Sequence, residues 1–116
     1  MIFVKKLTAE EAQEVAVDTW ESWEGESKKV TWHVEEQEVF YVTDGEVFLT
    51  VDGVKYHITK NCVVSLAKDV VCEWDCPEFL KKNYKVNHEI IWNNMRSFTE
   101  GVTNTPATKL RQTGEI

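Results

Sequence analysis

Residues 31–47, "TWHVEEQEVFYVTDGEV", set one imidazole, His33, ahead of one carboxylate, Glu38, with four residues between them. Six further residues separate Glu38 from Gly45. Imidazole nitrogens and carboxylate oxygens are donors that first-row divalent metals accept. The same side chains also serve as hydrogen-bonded interior groups. A buried carboxylate must be paired, here by Tyr41, a Trp or backbone N–H groups. A second set of residues points to binding. Trp23, Trp32, Phe40, Trp74 and Tyr84 supply aromatic walls with few polar groups among them, the usual composition of a small-molecule cleft. Trp20 joins them as core or mouth filling. Lys82 is expected in solvent, with a ligand's anionic group at the cleft rim as the other reading. His57 and His88 read as surface or structural residues.

Elements that hold such residues can be read along the chain. "IFVKK" is a first strand. "LTAEEAQEVAV" is a short helix with Thr8 as N-cap and Glu11 completing a capping box, and Leu7 is placed to staple against Ala12. "DTWESWEGESKK" reads as an extended segment that ends in a polar turn at residues 25–29. From Val30 onward the pattern is β. Asp52-Gly53 between "GEVFLTV" and "VKYHI" is a strong hairpin signal. "CVVSLA" and "VVCEW" are further short runs. Pro77 is expected to end the latter before a separate strand, "FLKKNYKV". Many short strands with regular turn signals predict a sandwich or barrel.

Composition narrows the function classes. The chain has 116 residues, 42% of them hydrophobic, which suits one domain. The net charge of −7 and the absence of a basic cluster exclude a phosphate-backbone binder. No apolar run reaches the roughly 18 residues of a membrane span. The N-terminal stretch lacks the apolar core of a secretory signal, so a cytoplasmic location is expected. Cys62, Cys72 and Cys76 are then expected as reduced thiols. On one strand face, Cys72 and Cys76 lie roughly 13 Å apart. A disulfide requires Cα atoms within about 7 Å. No phosphate-cradling glycine loop, nucleophile elbow or zinc-finger spacing is present.

The Glu38-x6-Gly45 spacing resembles the first signature of the cupins, small antiparallel β-barrels. His33 stands at the second His position of that signature and Thr31 at the first. The second signature resembles "NCVVSLAKDVVCEW", with Asn61, Ala67 and Asp69 where Gly, Pro and Gly belong and Cys72 at the His position. Trp20, Trp23, Trp32, Glu38, Tyr41, Gly45, Val47, Cys72, Trp74, Lys82 and Tyr84 are similar to the small cupins grouped with ureidoglycine aminohydrolase and the ethanolamine-utilisation Q-type proteins. The resemblance covers roughly residues 17–86.

The resemblance implies an all-β fold, a single jelly-roll-like cupin barrel with a short N-terminal helix over residues 1–86. Residues 87–116 then form a C-terminal extension that docks on the barrel or on a second subunit. "NHEIIWNNMRSF" within it is either a helix or an irregular arm. A homodimer is implied. So is a divalent metal (Mn, Fe, Ni or Zn) held by His33, Glu38 and Cys72, if the chain is an aminohydrolase- or isomerase-type enzyme. Without an intact ligand set, the expectation is a barrel that holds a small polar metabolite among Trp23, Trp32, His33, Glu38, Phe40, Cys72, Trp74 and Tyr84. A third expectation is a non-catalytic interaction or scaffold protein.

Overall fold

The computed structural model describes residues 2–88. Seven antiparallel strands wrap into a nearly closed barrel-shaped sheet. They are β1 (Ile2–Lys6), β2 (Glu21–His33), β3 (Glu38–Gly45), β4 (Val47–Val51), β5 (Val54–Ile58), β6 (Cys62–Leu66) and β7 (Val71–Val86). One helix, α1 (Ala9–Val15), lies between β1 and β2. The strands run in the order β1-β6-β3-β7-β4-β5, and β2 pairs with β7. The expected all-β cupin barrel with a short N-terminal helix is what forms. The segment expected as a helix or arm, and the docking of the C-terminal extension, fall outside the described residues beyond His88.

Local chemistry sets the helix. Thr8 Oγ1 accepts the Glu11 backbone N–H at 3.1 Å, and Glu11 Oε1 accepts the Thr8 N–H at 3.0 Å. This capping box satisfies two donors that a helix start leaves open. Leu7 and Ala12 join one small core with Val17, Trp20, Val39, Tyr41 and Val63. That core seals α1 onto the outer face of β3 and β6. The inner face of the same strands supplies Phe40, Val42, Val64 and Leu66 to the main core. β3 and β6 are therefore apolar on both faces. The Asp52-Gly53 turn joins β4 to β5, with both residues at positive φ as a tight hairpin turn requires.

Two boundaries differ from expectation. β2 does not turn at residues 25–29; it continues to His33, and its pairing with β7 slips by one residue between Glu26 and Lys28. β7 does not end at Pro77; it runs unbroken for 16 residues. Proline removes a ladder donor. At Pro77 none is needed, because no ladder pairs that residue. β4 pairs with β7 only as far as Asp75, β3 takes over at Leu80, and the β2 slip falls opposite.

Candidate functional site

The unbroken β7 decides which side chains enter the barrel. Alternation puts every second residue on one face. Cys72, Trp74, Cys76, Leu80 and Lys82 are all buried on that face, with Tyr84 half-buried beyond them. Lys82 is thus an interior residue, only 6% exposed, and not the solvent-facing one expected from its type. Counting in twos from Trp74 reaches Lys82 only if the strand continues through Pro77, which strand pairing decides. Assigning a break at Pro77 hides that phase.

The slip in β2 supplies two walls. Before it, odd-numbered residues face inward, and Trp23 lies opposite Lys82. After it, even-numbered residues do so, and Trp32 lies opposite Cys72. Both indoles therefore face one cavity of about 660 Å³, which is also lined by Trp74, Tyr84, Glu38 and Lys82. Gly25 shares this arrangement, because a Cβ there would stand 2.2 Å from the Trp23 indole. Only a residue without a side chain lets Trp23 fold over the strand.

At the cavity floor, Lys82 Nζ donates to Glu38 Oε2 at 2.8 Å. The two side chains are 7% and 13% exposed. Five rings surround the ammonium: Phe40 at 4.3 Å, Trp32 at 5.1 Å, Trp23 and Trp74 at 5.2 Å, and Tyr84 at 5.7 Å, measured to ring centroids. Each ring presents a partly negative face to the cation. Trp74 holds Trp23 and Trp32 edge-on, with centroids 5.9 and 5.6 Å away. Burial pushes the Lys82 ammonium below the ordinary lysine range, and the Glu38 charge and hydrogen bond pull the other way. Tyr84 Oη donates to Glu21 at 3.3 Å at the rim.

The implied metal-ligand set does not assemble. His33 pairs with Val71 on the outer face, where Val71 is exposed, and its Nε2 lies 3.3 Å from Asp69 Oδ1. The His33 side chain is 58% exposed. Trp32, its neighbour, takes the inward place. Cys72 does point inward, but burial and the charge of Glu73 push its thiol up to about 11. Glu38 is committed to Lys82. Among the described residues no group of three His, Cys, Asp or Glu side chains is placed to hold a metal ion. Thr31, at the other His position of the signature, donates to Glu73 at 3.0 Å.

Of the expected cleft residues, Trp23, Trp32, Glu38, Phe40, Trp74 and Tyr84 gather around Lys82, and Cys72 lies close below them. Phe40 and Cys72 are buried behind the residues that line the cavity, and His33 lies on the outer face. His57 sits on the β4–β5 surface, 2.5 Å from Glu46 and stacked on Phe48. His88 packs edge-on against Trp20. The three cysteines are free and buried. Among the described residues, no helix is long and apolar enough to cross a membrane.

Gly45 explains itself once the fold is known. Its φ is +84°, and a Cβ there would meet the Phe79 carbonyl oxygen at 2.2 Å. The Glu38-x6-Gly45 spacing therefore marks a strand and the tight approach that ends it.

Comparison with known proteins points the same way. The pattern of the EutQ-like cupin domain matches residues 12–84. A DUF861 family protein from Thermotoga maritima is 31% identical, with a TM-score of 0.70 over 74% of this chain and 99% of that one. The Clostridium difficile EutQ protein is 18% identical, with a TM-score of 0.52 over 73% of this chain and 66% of that one. A putative ethanolamine utilization protein Q from Salmonella typhimurium LT2 is 16% identical, with a TM-score of 0.51 over 73% and 68%. No curated protein matches the chain. With a matched domain that spans both signatures and a barrel that reproduces the fold, the chain belongs to the family of EutQ-like cupin domains.

Proposed function

We propose that this chain binds a small, neutral, polar metabolite in the cavity above Lys82 and Glu38. The observation that carries the reading is the buried ion pair at the cavity floor. Withdrawing two charges from water costs several kcal/mol per ion. A pair placed at the base of a cavity, beneath aromatic walls, is a recognised signature of a functional site. Lys82 can donate and Glu38 can accept, side by side. A ligand with an acceptor next to a donor, such as an amide, a urea or a hydroxy-carbonyl compound, matches both at once.

Charge narrows the class. Glu24 and Glu26 stand at the cavity lip against Lys28, and the whole chain carries −7. An anion is repelled at the lip and again by Glu38. A cation meets the Lys82 ammonium already inside the aromatic box. A neutral ligand meets neither obstacle.

A tryptophan-fluorescence titration with small amides, ureas and hydroxy-carbonyl compounds tests this. The reading expects a saturable change with the wild-type chain, lost in the double variant Lys82→Met with Glu38→Leu. The double variant is chosen because it removes both charges together. No saturable change at about 1 mM ligand, equivalent to a binding free energy weaker than about 4 kcal/mol, counts against it.

A further inference from the structure

Beyond reversible binding, we propose that Lys82 is a nucleophile that condenses with the carbonyl carbon of a small neutral aldehyde or ketone to form an imine, with Glu38 carrying the protons. The proposal rests on the same cavity being a small-molecule site.

Three observations on independent parts of the site support it. Lys82 Nζ lies at the floor of an open cavity of about 660 Å³, so a small molecule can approach it. Glu38 Oε2 is already 2.8 Å away, within direct proton-transfer distance. Trp23, Trp32, Phe40, Trp74 and Tyr84 ring the Lys82 ammonium, and all but Phe40 also line the cavity, so a bond formed at Nζ has aromatic faces beside it. Burial also disfavours the ammonium relative to the amine, and the amine is the attacking form. A lysine whose task was structural would extend its charge to solvent along an apolar stem. This one is held inside on the carboxylate of Glu38.

The Lys82 ammonium gives a proton to the Glu38 carboxylate. The freed lone pair forms the N–C bond as the carbonyl π bond opens, and the Glu38 carboxyl protonates the oxygen. The nitrogen then returns a proton to Glu38, leaving a neutral carbinolamine. Glu38 protonates the hydroxyl, the C–O bond breaks, water leaves, and the nitrogen lone pair closes the C=N bond. Ammonium plus carbonyl compound thus becomes protonated imine plus water, with Glu38 again a carboxylate facing the new cation. No oxidant or reductant takes part.

The test uses the full chain with propanal or benzaldehyde and a limiting pulse of cyanoborohydride, which traps imines as stable amines, followed by peptide mass mapping. The proposal expects the first adduct at Lys82, formed at least about tenfold faster than at exposed Lys28, Lys60 or Lys68, all outside the cavity floor. Adducts on the exposed lysines with Lys82 unmodified overturn it. Tryptophan fluorescence is followed in the same samples before reduction. A saturable fluorescence change with no Lys82 adduct overturns the imine and leaves reversible binding standing. Neither change nor adduct, with these aldehydes and with the amides and ureas, overturns both.

Discussion

Lys82 Nζ donates to Glu38 Oε2 at 2.8 Å inside the barrel, and both side chains are nearly withdrawn from solvent. Removing one member of such a pair leaves a buried charge without compensation, and that costs about 3–5 kcal/mol. Lys82→Met or Glu38→Leu alone is expected to lose that much in urea unfolding. The double variant is expected to recover most of it, since replacing both charges by apolar groups of similar size is often neutral or stabilising by about 1–4 kcal/mol. Additive losses in the double variant contradict a coupled pair.

Gly25→Ala tests the seat of Trp23. The added Cβ meets the indole at 2.2 Å, so the ring has to leave its place over Lys82. Trp23 is 40% exposed, so the global cost is small, below about 1 kcal/mol on the scale of partly exposed positions. The expected signature is a shifted tryptophan emission and weakened ligand binding with near-normal stability. Unchanged emission and binding dismiss this seat.

His33→Ala separates the fold marker from a metal ligand. His33 is exposed and, among the described residues, pairs with Asp69 at 3.3 Å, a contact worth about 0–1 kcal/mol. Stability and ligand binding are expected to stay within that margin. Metal analysis of untagged protein completes the test: stoichiometric metal that disappears with His33→Ala contradicts the geometry described above.

Cys72 gives a pH dependence whose sign is fixed. Its folded thiol is raised from 9.0 to about 11, chiefly by burial. The folded chain therefore holds the proton more tightly than the unfolded chain. The associated stability is fully present below 9.0 and is lost as pH rises toward about 11. The stability difference between wild type and Cys72→Ala should shrink across that window. At about pH 8 iodoacetamide should leave Cys72 unmodified in the native chain, since the thiolate is the reactive form. Rapid native labelling, or a difference that grows with pH, refutes the assignment.

The parts of this protein legible in its sequence are those written locally. Thr8 and Glu11 cap α1 within one turn of chain. Asp52-Gly53 sets its hairpin alone. The spacing from Glu38 to Gly45 and the pair of signatures identify the barrel. The aromatic walls were legible as residue types, because large rings in a small fold have few other places to go. The site's polar centre was not. Lys82 enters the barrel only because β7 keeps its phase through Pro77, which depends on β4 handing over to β3 on one side and β2 slipping on the other. The same slip changes the inward parity of β2, and so seats Trp32 in the cavity and turns His33 out. Both events arise from strand pairing between residues roughly 25–55 positions apart, where single-strand alternation carries no information.

The most direct test of the account reads the tryptophan side chains individually. Indole N–H resonances in a two-dimensional proton–nitrogen spectrum report Trp23, Trp32 and Trp74 at the cavity, and Trp20 in the separate core beneath α1. On titration with a binding amide, urea or aldehyde, the account predicts saturable shifts at Trp23, Trp32 and Trp74 with Trp20 left in place, and none of them in the Lys82→Met, Glu38→Leu double variant. Shifts confined to Trp20, or equal shifts in the double variant, contradict the claim that ligand is held over the Lys82–Glu38 pair.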